Sequence, residues 1–223
     1  RMESLSRSEN TFIRPSPSGG NLGGVNRSTR ESISILEAAG YSVILVETVG
    51  VGQAETEVFE MTDIFLVLLN PGGGDELQGI KRGIIELADI LVVNKSDGNL
   101  LATSKSTMLD YKNALKLLKP RIKEWTIPIL SCSALQKEGI NEAWDQILKL
   151  KNHLISTGQL KDNRHKQNEI WLKNKKKNLI LSAIESDETL IDKLSQIKKT
   201  QWQEIQETSF LLNVIKKIKE KMK

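Results

Sequence analysis

Cysteine occurs once in the 223 residues, at Cys132, and histidine twice, at His153 and His165. A single thiol excludes internal disulfides and any cysteine-built metal cage, and two histidines so far apart in sequence make no metal cluster. No run approaches the roughly 20 apolar residues that a membrane-spanning helix needs. The start, Arg1-Met2-Glu3-Ser4, has none of the apolar core of a secretory signal. No membrane association is expected, and the compartment follows as a bacterial cytoplasm or, in a eukaryote, the mitochondrial matrix. Aromatic residues make up only 4% of the chain. They are too sparse to interleave with lysines as a single-stranded nucleic-acid groove requires, so no nucleic-acid partner is expected.

What is plentiful is charge, with a formal net charge of +4. Lysine gathers late, in Lys173-Asn174-Lys175-Lys176-Lys177 and again from Lys216 to Lys221. These runs read as solvated helix faces. Glycine, serine and proline gather early, so Arg14 to Gly24 reads as a loop. A helix is expected from about Ser28 to Ala39, stopped by Gly40.

Short apolar runs then alternate with helical stretches, the pattern of a parallel sheet wrapped by helices. Ser42 to Val46, Ile64 to Leu69, Ile90 to Val93 and Ile127 to Leu130 are too continuously apolar for half-exposed strands. Helices are expected near Gln78 to Leu87, Ser104 to Leu118 and Ile140 to Leu150. From about Lys151 strands give way to Lys-rich helical periodicity, with Ile and Leu recurring from Ile180 to Ile218. Two domains follow: an α/β domain over residues 1–150 and a helical arm over 151–223.

Ligands in such sheets bind beyond the carboxyl ends of the strands. Asn94-Lys95-Ser96-Asp97 sits there. An ionised carboxylate only accepts hydrogen bonds, and guanine offers two adjacent donors, N1–H and the exocyclic amine, where adenine has an acceptor and a C–H. Asp97 therefore discriminates for guanine, Asn94 braces the loop, and the Lys95 stem lies along the base. After the next strand, within Ser131-Cys132-Ser133-Ala134-Leu135, Ser133 and Ala134 offer their backbone N–H groups to the guanine carbonyl. Glu47, closing the first run, suits a magnesium ion held through its water shell, and Gly50 lets its N–H approach a γ-phosphate; taken alone, the two read rather as a strand cap and a turn. Asn70-Pro71-Gly72-Gly73-Gly74-Asp75, continuing to Gly83, reads equally as a switch or as a solvated loop.

Val46-Glu47-Thr48-Val49-Gly50-Val51-Gly52-Gln53, the Pro71 to Gly83 segment and Phe12-Ile13-Arg14-Pro15-Ser16-Pro17-Ser18 resemble the MeaB-type (ArgK-like) P-loop GTPases. The similarity runs from the first residue to about Trp171. It implies a P-loop NTPase domain with a mostly parallel sheet and a C-terminal α-helical arm. It also implies a GTPase using GTP/GDP and Mg2+, and assistance to a cobalamin-dependent methylmalonyl-CoA mutase or related mutase in cofactor loading and protection. Residue by residue, it makes Glu47 the magnesium-associated acid and Gly50 the γ-phosphate sensor. Asn94, Lys95, Asp97, Ser133, Ala134 and Leu135 become the guanine pocket, and Asp75, Gln78 and Lys81 the switch that couples nucleotide to mutase. Ser156 to Leu160 and Arg164-His165-Lys166-Gln167 resemble the family's arm, which implies a homodimer. Two other readings are an ATPase or kinase of lysine/arginine/ornithine transport and a catalytically dead interaction module.

No Gly-x-x-x-x-Gly-Lys-Ser/Thr occurs in the sequence. That loop cradles the phosphates. With Arg1 as first residue, the expectation is a fragment of a longer GTPase, inactive in hydrolysis by itself.

Overall fold

A computed structural model of the chain describes residues 2–15, 28–48, 54–72, 82–118 and 120–185. It divides into two compact units, Arg1–Gln167 and Asn168–Lys223. In the first unit the elements run α1 (Glu3–Ser6), α2 (Ser28–Ala38), α3 (Ala54–Phe59), β1 (Leu66–Leu69), α4 (Arg82–Leu87) and β2 (Ile90–Val93). They continue through a 3-10 turn (Gly98–Leu100) to α5 (Leu101–Leu115), β3 (Ile129–Ser131), α6 (Ile140–Ser156) and α7 (Gln159–Glu185). The described part of the second unit is the remainder of α7, where the Lys175 ammonium lies 4.6 Å from the centre of the Trp171 ring.

The three strands form a parallel sheet in the order β1-β2-β3, with Leu66 opposite Ile90 and Leu91 opposite Ile129. All four residues of β2 are buried, which is why its sequence is continuously apolar rather than alternating. Side chains still divide by the two-residue period. Leu91 and Val93 join Leu69, Ile85, Ala88 and Tyr111 on one face. Ile90 and Val92 join Ile122, Cys132, Leu150 and Leu154 on the other. Helices α4 and α5 cover the first face and α6 the second. Leu150 and Leu154, four apart on α6, are both fully buried, as the i, i+4 geometry of one helix stripe requires.

The run Ser42 to Val46 departs from expectation. It joins no ladder among the described residues, and Leu45 is 86% exposed. An apolar pattern supplies a strand's side chains, whereas a ladder also needs a neighbour's N–H and C=O groups. β1 starts two residues later than expected, at Leu66. β3 begins at Ile129, past Pro128, which has no N–H to donate. The helical pattern expected beyond Glu185 lies outside the described residues.

The α3 segment is tied to α7 within the first unit. Arg164 grips both carboxylate oxygens of Asp63, at 2.7 and 2.6 Å, and reaches Glu37 at 2.9 Å. Gln167 donates to the Phe59 and Thr62 carbonyls at 3.4 and 2.8 Å. Hydrogen bonding to Asp63 holds the Arg164 guanidinium above its usual range. Thus the segment from Phe59 to Asp63 is fixed by the start of α7.

Candidate functional site

Two loops at the carboxyl ends of β2 and β3 meet. Asn94 is their junction: its Oδ1 accepts from the Lys95 N–H at 2.8 Å, the Ala134 N–H at 3.1 Å and the Cys132 thiol at 3.5 Å. Behind it the Ser96 N–H donates to the Cys132 carbonyl at 3.0 Å and the Ser96 hydroxyl to the Val93 carbonyl at 2.9 Å. The Ser96 hydroxyl also meets that of Ser104, fixing the loop to α5. Burial raises the Cys132 thiol above its ordinary range, so it stays a neutral spacer here.

Ser133 is 1% exposed, and its hydroxyl donates to the Asp97 carboxylate. The same oxygen accepts the Gln136 N–H at 3.0 Å. Ser133 and Glu138 exchange backbone hydrogen bonds at 2.9 and 3.1 Å, closing the turn between them. The carboxylate is thus aimed by a buried side chain, with lone pairs remaining for two donors side by side. Within this turn the N–H groups of Ser133, Ala134 and Gln136 are engaged. Leu135 N–H meets no acceptor among the described residues, and its side chain is 85% exposed. The Ser133 and Ala134 N–H groups, expected from the sequence to meet the guanine carbonyl, are thus already held by the Glu138 carbonyl and by Asn94, because closing the turn and joining the two loops uses them.

Lys95 has φ +59, a left-handed conformation that disfavours residues carrying a Cβ and persists where surrounding bonds impose it. Here the bond from its own N–H to Asn94 does so, and the lysine side chain is exposed.

Sequence reasoning brought together Asn94, Lys95, Asp97, Ser133, Ala134 and Leu135, and the structure gathers all six at the two loops. Glu47 is exposed at the end of the unpaired Ser42 to Val46 run. Among the described residues no three of His, Cys, Asp and Glu gather as a metal cage. A lone carboxylate suits only a magnesium ion that keeps its waters and arrives with phosphates. Gly50, Asp75, Gln78 and Lys81 lie outside the described residues. The start of the expected switch loop is described: the Gly72 N–H donates to the Thr107 hydroxyl on α5 at 3.2 Å, with Gly72 at φ +84.

One functional position had escaped the sequence reading. Gly139 precedes α6 at φ +72, and a Cβ there would stand 2.3 Å from the Ser131 carbonyl oxygen. The turn carrying Ser133 to Leu135 therefore depends on glycine at its far end. We expect Gly139→Ala to lower stability by about 2 kcal/mol, combining left-handed strain with a backbone clash. Urea unfolding checks this, and an unchanged midpoint would mean that the turn does not need its close approach to Ser131.

Comparison with known proteins accords with this geometry. Residues 1–189 match the family model described as "Methylmalonyl Co-A mutase-associated GTPase MeaB". The mitochondrial methylmalonic aciduria type A homolog of Mus musculus is 48% identical over 174 residues, covering 78% of this chain and 42% of the relative. GTPase ArgK of Escherichia coli is 45% identical over 188 residues, 84% of this chain and 57% of the relative. The chain thus spans about half the length of the curated relatives it matches. A crystal structure of an LAO/AO transport system kinase superposes with a TM-score of 0.73 at 35% identity, over 98% of this chain and 69% of that one. The α/β fold expected from the sequence, a partial P-loop NTPase domain with a parallel sheet, is borne out. The chain belongs to the MeaB family of methylmalonyl-CoA mutase-associated GTPases.

Proposed function

We propose that this chain carries the guanine-reading and switch portion of a GTPase that assists a cobalamin-dependent methylmalonyl-CoA mutase. The observation that carries the guanine reading is the Asp97 carboxylate held by buried Ser133, in a turn whose Leu135 N–H meets no acceptor among the described residues. Asp97 takes guanine N1–H and the exocyclic amine, and Leu135 N–H, assisted by Ala134, meets the guanine carbonyl. Asn94 locks the two loops together, and Lys95 covers the base. An adenine would leave the Asp97 carboxylate without donors, which disfavours the transport-kinase reading.

Glu47 holds a nucleotide-borne Mg2+ through water, and the ion supplies charge stabilisation at the phosphates. The Gly50 N–H senses the γ-phosphate, while Asp75, Gln78 and Lys81 carry its state to the mutase. The helical arm over 151–223 joins two copies. The compartment is a bacterial cytoplasm or a mitochondrial matrix. Among the described residues no helix is long and apolar enough to cross a membrane.

No Gly-x-x-x-x-Gly-Lys-Ser/Thr cradle occurs in these 223 residues, so this chain alone is expected not to turn over GTP. In the complete protein, adding cobalamin-loaded mutase is expected to change the GTP hydrolysis rate severalfold, measured by phosphate release. An unchanged rate would remove the mutase from the proposal and leave guanine recognition standing.

A further inference from the structure

At the opposite end of β3 from the guanine loops lies a trough of about 730 Å3, between the outer face of α5 and the stretch leading into β3. Its floor is apolar: Met108 and Leu115 of α5 face Ile127 and Ile129, all partly buried against the core. Leu109, 59% exposed, stands at its lip. Lys105 lies four residues before Leu109 and Lys112 three after, so all three share one helix face. Lys116 extends the row. Of the described residues lining the trough, these three are cationic and none is acidic.

An exposed apolar centre flanked by charges of one sign is the anatomy of a docking surface rather than of a solvated face. The spacing identifies the occupant. From Lys105 to Lys116 is 11 residues, about 16 Å along the helix. One phosphate or carboxylate headgroup cannot reach three ammonium groups so spread, whereas carboxylates repeated along a second helix can. Alternating leucine-type and acidic faces on such a helix would place apolar anchors against Met108, Leu109 and Ile127 and acids against the lysines. The geometry points to a docking groove for an acidic amphipathic helix of a partner protein, on the back of the elements that carry the guanine loops. Because the Ser133 loop leaves the other end of β3 and the Asn94 loop enters α5 ahead of Lys105, the partner and a nucleotide occupy separate places.

The test uses this chain and a short fluorescein-labelled helical peptide with leucines at i, i+3 and i+4 spacing and glutamates between them, read by anisotropy. A second peptide carries lysine for every glutamate. Saturable binding of the glutamate peptide is expected, weakened by added salt, with the lysine peptide bound at least about tenfold more weakly. The triple reversal Lys105→Glu, Lys112→Glu, Lys116→Glu is expected to invert that preference. Leu109→Asp is expected to weaken the glutamate peptide about tenfold or more with an unchanged circular-dichroism spectrum. Equal binding of the two peptides, or indifference to the reversal, overturns the proposal. So does saturable binding of dodecyl phosphate with no peptide binding, which would make the trough an amphiphile site.

Discussion

In the complete protein, Asp97→Asn is expected to weaken GTP binding on the order of a thousandfold, about 4 kcal/mol, and to transfer preference to XTP. The carboxylate accepts two hydrogen bonds from guanine. A carboxamide keeps one acceptor and sets its own N–H2 against the exocyclic amine, leaving two buried donors opposed. Xanthine replaces that amine by a carbonyl, and the pairing is restored. The substitution separates recognition from folding, because an asparagine oxygen still accepts from the Ser133 hydroxyl that now meets Asp97. Competition between fluorescent GDP and unlabelled GTP, XTP and ATP measures it, alongside a thermal midpoint expected to stay in place. An unaltered order of preference would show that Asp97 does not read the base.

How far the site was legible depended on whether a residue acts through its own chemistry or through its surroundings. Asp97, Asn94 and the Ser133 turn were recognisable because a fixed order of residue types follows consecutive apolar strands. The same reasoning placed β2 without error, since a strand buried on both faces has to be apolar at every position. It went astray over Ser42 to Val46, where the apolar pattern was present and no pairing neighbour was. The division of labour among backbone donors was not legible either. Sequence pointed to the Ser133 and Ala134 N–H groups, and only their bonds to the Glu138 carbonyl and to Asn94 set Leu135 apart. Gly139 escaped because its need for a bare Cα arises from the Ser131 carbonyl, eight residues earlier in the chain and touching only after folding.

Asp89 escaped for the same reason, although it is the most thoroughly buried carboxylate described. It is 1% exposed at the entry to β2 and accepts the Phe65 N–H at 2.8 Å. Arg121 donates to both its oxygens at 2.7 and 2.6 Å, and Trp125 donates to its backbone carbonyl at 3.0 Å. Arg121 in turn lies over the Phe59 ring, 4.9 Å from its centre. One ion pair therefore joins β2, the segment ahead of β3 and the end of α3. In isolation each of these residues is an ordinary surface type, and only the fold makes them a unit.

Arg121→Ala is expected to destabilise the chain by about 3 kcal/mol near neutral pH, because it strands a buried carboxylate. The estimate takes the low end for a broken buried pair, since the Arg121 side chain is 26% exposed and water screens part of the attraction. Acid should relieve the deficit. Burial already pushes the Asp89 carboxyl above its ordinary range, with Arg121 and the Phe65 N–H opposing. A carboxyl whose folded pKa exceeds its unfolded one favours the fold most below the unfolded pKa, and that contribution is lost as pH rises through the folded value. Removing Arg121 takes away the strongest opposition, so the folded pKa climbs further and the ionised form becomes more costly. The variant's deficit is accordingly full near neutrality and shrinks as pH falls through that raised pKa. Urea unfolding of both proteins at about pH 7 and about pH 5 reads the difference directly. A deficit equal at the two pH values would mean that the loss comes from the Phe59 contact and not from the stranded charge. Adding Asp89→Asn to Arg121→Ala decides between them independently, because a neutral amide that keeps the Phe65 N–H as donor should restore much of the lost stability only if charge was its cause.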